Sequence, residues 1–335
     1  MNYRALFSVT AAAAIAFAQP VAYLAQEAGK AAEIIAAARK AIGGTKLDAL
    51  KTFSVQSSVE RNVGSMQMSS DVEIVLDLPD KYLRAETPAG GGGMMVMAGG
   101  GATGFNGDKP LQNLRAAGMS PSGGMVFRMG SGGPTPAGEK LTDEQVATLS
   151  KQVVRGSRAE ISRLMLGWFA NAHPAAHARY TYLGEAESVE GKAWVIEVKN
   201  DDAFAARLFV DQQSSLPLMV TYQGPQPRMV TQQMGAPPAG GGGHVMTVQR
   251  PANPANEEER KKMQADVDRQ IQEAQKQAPV MVDYAVYFEE WRSADGIKFP
   301  HKIRRAMAGT TTEEWSIRKI KVNPPVDPKR FAGES

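Results

Sequence analysis

No cysteine occurs anywhere in the 335 residues. Disulfides, thiolate nucleophiles, thiolate-bound metals and a lipid-accepting lipobox residue are therefore excluded. Histidine is scarce, at 4 residues. His173 and His177 are four apart, but Pro174 lies between them and no glutamate completes an H-E-x-x-H pattern, so no metal site is expected. A surplus of one charge is missing as well: 38 Lys and Arg stand against 35 Asp and Glu, for a net +3. That balance, without a basic stripe interleaved with aromatics, gives no reason to expect a nucleic-acid partner. No serine sits in a G-x-S-x-G elbow, which removes the usual signature of an exported hydrolase. Glu289, Glu290, Glu313 and Glu314 are paired along strand-like segments, where neighbours face opposite sides and make no acid/base couple. No catalytic residue, cofactor or metal is expected, and the chain reads as a non-enzyme.

Long apolar runs are also absent. The run from Val9 to Ala16 is shorter than the roughly 20 residues of a membrane span, and it follows Arg4 and precedes an A-x-A site at Ala16-Phe17-Ala18. Residues 1–18 therefore read as a signal peptide, and residues 19–335 as a single exported, periplasmic domain, soluble after cleavage.

Glycine and methionine, by contrast, are plentiful, at 33 and 17 residues. They concentrate in low-complexity inserts at about 89–104, 118–138 and 225–256. A charged helical insert, "NEEERKKMQADVDRQIQEAQKQ", follows at about 256–278, with i,i+4 Glu-to-Lys pairs on a solvated face. The stretch "GGGGMMVMAGGG" contains a G-x-G-x-x-G match at Gly99, Gly101 and Gly104, but a glycine-saturated run produces one by chance. Met66/Met68 and Met95/Met97 have thioether-pair spacing for Cu(I), and filler is the simpler reading among so many methionines.

Between the inserts the periodicity is clear. A helix is expected over 27–42, with Ile34, Ile35 and Ile42 near one face and Gly43-Gly44 as its stop. A second is expected from Thr142 to about Asn171, opened by a Thr142/Gln145 capping box. "SSDVEIVLDLPDKYLRAE" is the strongest strand signal: Val72, Ile74, Leu76 and Leu78 alternate with acidic residues before a Pro79-Asp80 turn. "GFNGDKP" carries an Asn-Gly hairpin signal, so the glycine block joins two consecutive antiparallel strands. Four strands are expected in 178–224 and three in 282–322. Strands in runs, with helices grouped between them, imply an α+β fold with helices on one face of an antiparallel sheet.

This succession resembles the LolA/LolB-like family, the outer-membrane lipoprotein-sorting proteins and their exported relatives. "DVEIVLDLPDKYLRAE" followed by "GFNGDKP", then "YLGEAESVEGKAWVIEV", "ARLFVDQQSSLPLMV", "EEWRSADGIKFPHKI" and "IKVNPPVDPKRF" carry the resemblance. It implies a strongly curved antiparallel sheet, an incomplete barrel, with helices over its concave face and an apolar cavity that accepts acyl chains. The cavity set would be Val72, Ile74, Leu76 and Leu78 from the sheet with Leu164, Met165, Trp168 and Phe169 from the second helix. Core packing is the plainer reading of the last four. The implied partner is a hydrophobic ligand such as a lipid or an acylated protein, with room for peripheral membrane contact. Alternatives are a structural or interaction module whose cavity is filled by its own side chains, and an accessory factor of an exported hydrolase system. One departure stands out: the carriers place a lid-linked arginine before the turn proline, where this chain has Leu78. Arg84, on the next strand, reads most simply as a surface charge.

Overall fold

A computed structural model describes residues 21–63, 66–89, 101–112, 142–188, 191–202, 204–226, 229–233, 245–249, 258 and 279–332. The expected signal peptide, the glycine block at 90–100, the insert at 118–138 and nearly all of the expected charged helical insert at 256–278 lie outside these residues. In chain order the elements begin with helix α1 (Val21–Ile42) and the short α2 (Thr45–Asp48). Strands β1 (Thr52–Val63), β2 (Met66–Asp77), β3 (Lys81–Pro88), β4 (Gly101–Asn106) and β5 (Lys109–Pro110) follow, then helix α3 (Asp143–Phe169). After it come β6 (Arg179–Ser188), β7 (Gly191–Lys199), β8 (Ala205–Asp211) and β9 (Pro217–Pro225). Two short strands, β10 (Met229–Gln233) and β11 (Val245–Gln249), pair in parallel within the 225–256 insert. The chain closes with β12 (Met281–Ala294), β13 (Ile297–Met307) and β14 (Thr310–Val322).

Twelve strands form one sheet in the order β5-β4-β3-β2-β1-β14-β13-β12-β9-β8-β7-β6. Every pairing in it is antiparallel. The two ends of the chain meet at its middle, where β1 lies beside β14. Among the described residues β5 and β6 are the edges of the sheet and do not pair with each other, so it curls without closing: an incomplete barrel. Register shifts at Gln56/Ser57, Arg305/Ala306, Tyr182/Gly184 and Phe209/Val210 insert bulges that bend the strands. β3 pairs directly with β4, so the glycine block does join consecutive antiparallel strands, and its last residues, 101–104, belong to β4. Gly104 has φ +139, and a Cβ there would lie 2.0 Å from the Tyr82 carbonyl oxygen, so only glycine allows this approach.

One face of the sheet is covered by α1 and α3 and holds the main core. α1 buries Ala31, Ile34, Ala38 and Ile42, a stripe at helical spacing, against the sheet. α3 opens with the expected capping box: the Gln145 amide donates to Thr142 Oγ1 at 3.2 Å and the Thr142 amide to Gln145 Oε1 at 2.8 Å. It ends at Ala170, whose φ of 50 places it in the left-handed region. The opposite face carries two small clusters, one of Val75, Leu83, Leu111 and Phe331, the other of Ala193, Phe209 and Met219. The C-terminal segment packs over the first, fixed by Arg330 on the Glu73 carboxylate at 2.6 and 3.3 Å.

Candidate functional site

The space beneath α3 has two zones, and strand register explains why. On the covered face, Phe53 of β1 stands opposite Leu76 of β2, which stands opposite Tyr82 of β3, which stands opposite Phe105 of β4. Two residues further along β1, Val55 faces Ile74, and Ile74 faces Arg84. Further still, Arg61 of β1 is opposite Glu313 of β14, itself opposite Arg305 of β13. The same face therefore runs from apolar to ionic along the strands. α3 matches this pattern: Glu160 lies over the ionic end and Trp168, eight positions or about 12 Å further along the axis, over the apolar end.

At the apolar end Phe53, Trp168, Phe169 and Phe299 form an aromatic cluster. Phe53 is 5.0 Å from Phe169 and 5.2 Å from Phe299 between ring centres, and Trp168 is 5.2 Å from Phe299. α3 sits close to the sheet here because Gly167 has no side chain: a Cβ would fall 1.9 Å from the tip of the Phe288 ring of β12. Of the eight cavity residues expected from the sequence, Val72, Ile74, Leu76, Leu164, Met165, Trp168 and Phe169 are buried and join this single core. Leu78 lies one residue beyond β2, in the turn at the cis Leu78-Pro79 peptide, and packs half-buried against the same core. Beneath the helix the Trp168 indole Nε1 is buried with no hydrogen-bond partner among the described residues, and the Tyr82 hydroxyl is buried beside Arg84.

At the ionic end three arginines and three carboxylates interlock. Arg84 donates to Glu160 on α3 at 2.5 Å and to Glu86 at 3.1 Å, and Arg305 reaches Glu160 at 3.5 Å. Arg61 pairs with both oxygens of Glu86 and with Glu313 at 2.9 Å. Glu313 also accepts from Trp315 Nε1 at 2.9 Å, and the guanidinium carbons of Arg84 and Arg305 each lie 5.1 Å from the Trp315 ring centre. Burial pushes the Glu313 carboxyl upward, but Arg305, Arg61 and Arg84 outweigh it and bring it down to about 2. Glu160 and Glu86 are likewise held below the ordinary carboxylate range: burial raises each, while Arg84 and Arg305 on the former, and Arg61 with Ser70 on the latter, prevail. Arg84 is no surface charge; its side chain keeps 11% exposure and joins the sheet to α3.

The other sequence candidates are dispersed. His173 caps the 3-10 turn at Pro174–Ala176 and is buried against Phe105, with burial, aided by Arg158, lowering its pKa to about 4. Among the described residues no three His, Asp or Glu side chains are grouped to hold a metal. Gly101 and Gly104 lie in a strand, not in a loop opening a helix, which removes the phosphate-loop reading. Glu313 turns inward with 19% exposure and Glu314 outward with 46%, as strand alternation requires. Two open grooves lie elsewhere, and neither is lined by any of the eight cavity candidates. One, of about 610 Å³, runs along α1 past Ala28, Ala32 and Tyr180; the second flanks α3.

No protein-family model matches the chain, and no curated protein is similar to it. Solved structures similar to it include a LolA superfamily protein from Nitrosomonas europaea, at 12% identity and a TM-score of 0.45, covering 90% of this chain and 96% of that one. An outer membrane lipoprotein-sorting protein domain from Vibrio parahaemolyticus is similar at 10% identity and a TM-score of 0.44, over 91% and 97% of the two chains. A DUF1329 family protein from Desulfovibrio piger is similar at 8% identity and a TM-score of 0.40, over 90% and 96%. The fold class itself rests on the strand order, pairing and covering helices described above.

Proposed function

We propose that this chain is an exported, non-enzymatic binding protein that shelters an apolar ligand, a lipid or the acyl part of an acylated protein, between the curved sheet and α3. The observation that carries this reading is the orphaned indole donor of Trp168 beneath the helix, at the apolar end of the space. A permanent core pairs most of its buried polar groups, whereas Trp168 Nε1 has no partner among the described residues. Exceptions of this kind concentrate at functional sites. The buried carboxylates support the absence of catalysis. Each is clamped by arginine and held low, whereas an acid/base group working near neutrality needs a pKa close to the ambient pH.

The aromatic cluster favours a second reading, a structural or interaction module whose interior is filled by its own side chains. Titration with a neutral fluorescent long-chain lipid separates the two. Burying about ten methylenes at roughly 0.8 kcal/mol each, less association costs, gives micromolar or weaker one-to-one binding. Leu76→Asp places an unpaired charge beneath α3 and should weaken it, with near-UV dichroism recorded beside affinity to show that the fold persists. Folded wild-type protein that takes up no probe would leave the module reading standing.

A further inference from the structure

The second groove, of about 760 Å³, lies between α3 and the loops at one end of the sheet. Its volume is in the range of small-molecule sites. Val154 and Ala159 of α3, Ala176 and Phe204 give it apolar walls, while Lys151, Arg155, Arg158 and Arg163 set four cations against the two carboxylates of Asp108 and Asp202. Two of the arginines have counter-ions from the loops: Arg158 pairs with Asp108 at 2.7 Å and Arg155 with Asp202 at 3.9 Å. Arg163 differs. Among the described residues it makes no ion pair, and its Nε, like that of Arg158, is buried without a hydrogen-bond partner there. Its guanidinium carbon rests 3.8 Å from the Tyr222 ring centre and 5.7 Å from that of Phe204.

Arg163 is half-buried and has no ion pair among the described residues, Glu160 on the same helix acting on it only from a distance, so an incoming anion would offset part of the cost of burying it. The aromatic faces hold the guanidinium plane in place, and a planar fork held in place is suited to carboxylate or phosphate oxygens. Lys151, exposed at the rim, makes no ion pair among the described residues and adds a second positive charge. The apolar walls beside Arg163 would be wasted on a bare inorganic anion.

We propose that this groove binds an anionic amphiphile, its carboxylate or phosphate head on Arg163 and its apolar body along Val154, Ala159 and Phe204. The groove is lined by none of the aromatic or ionic residues named beneath α3, although Val154, Ala176 and Phe204 belong to the same core, so variants on the two sides distinguish this site from the interior one.

Calorimetric titration of the whole protein with decanoate, decyl phosphate, decanol and inorganic phosphate, below micelle formation, tests it. Decanoate and decyl phosphate should bind once per chain, at least about tenfold more tightly than decanol or inorganic phosphate. Arg163→Met, which keeps an apolar stem, should bring the anionic ligands to the level of decanol. Lys151→Gln, on the exposed rim and harmless to the fold, should weaken them by about two- to threefold and lessen their salt dependence. Equal binding of decanoate and decanol would overturn the proposal. So would inorganic phosphate binding as tightly as decyl phosphate, or decanoate binding that survives Arg163→Met but is lost in Leu76→Asp, which would place the ligand in the interior. Absence of decanoate binding at about 1 mM would overturn it too. Loss of neutral-lipid uptake with decanoate binding intact would count against the interior site alone.

Discussion

The contact between Arg84 and Glu160 should hold α3 to the sheet, and a double-mutant cycle measures it. Removing one partner of a buried ion pair costs about 3–5 kcal/mol, because the other charge is stranded. Here the loss is smaller. Arg305 remains 3.5 Å from Glu160, Arg61 remains on Glu86, and the Glu160 side chain keeps 32% of its surface in water. Arg84→Met should therefore cost about 2–3 kcal/mol and Glu160→Gln about 1–2 kcal/mol, while the double variant costs about 1–2 kcal/mol less than their sum. Urea unfolding monitored by far-UV dichroism gives the four free energies. The coupling should persist in high salt, since the pair is not freely exposed. Additivity within about 0.5 kcal/mol would refute the reasoning, and Arg84 would then be a packing residue whose charge does nothing for the lid.

Glycine gives a pair of opposed outcomes on one helix. Gly156→Ala meets open space and should raise stability by about 0.5–1 kcal/mol, whereas Gly167→Ala drives a methyl into the Phe288 ring and should lower it by about 1–3 kcal/mol, both read from denaturant midpoints. His173 predicts a pH dependence. Its folded pKa of about 4 lies below the ordinary 6.5, so between these values the unfolded chain holds a proton that the native state does not, and stability falls as pH drops from about 6.5 to 4. The loss approaches roughly 3 kcal/mol and should be missing from His173→Gln. Glu313, lowered to about 2, acts in a separate window: its stabilisation is present above about 4.5 and is lost as pH falls toward 2, so Glu313→Gln should flatten only that lower limb.

The strands were legible because alternation is local. Val72, Ile74 and Leu76 point inward on a period of two, and the Thr142/Gln145 box announces α3 within four residues. The ionic zone was not legible, because its partners are remote: Arg61 and Glu313 are 252 residues apart, and Arg84 and Glu160 are 76 apart. Arg84 sits where the inward pattern of β3 continues after Tyr82, and that parity was the available signal. It was overridden by the usual preference of arginine for the surface. Seeing it buried required knowing that β14 returns beside β1 and that Glu160 lies above. The small β10–β11 pair was hidden for a different reason, since five-residue strands without apolar alternation, inside a glycine- and proline-rich insert, have little hydrophobic patterning to reveal them.

The two zones also imply an order of opening for α3. Its buried residues are Leu149 and Val154 in the first half, then Ile161, Ser162 and the unbroken run Leu164 to Phe169. Lifting the Glu160 end returns charges to water, where rehydration offsets much of the lost pairing. Lifting the far end exposes Trp168 and Phe169 and uncovers Phe53 and Phe299, at about 1.5–3 kcal/mol of apolar burial for each large side chain. The helix should therefore loosen from its N-terminal half while Ile161 to Phe169 stay docked. Native-state hydrogen exchange reads this directly: amides in 147–160 should exchange through local openings well before those in 161–169, and acidification that protonates Glu160 should widen the gap. Uniform protection along α3 would show that the helix leaves the sheet only as a whole. Entry beneath it would then cost the full aromatic contact, and the filled-interior module would gain accordingly.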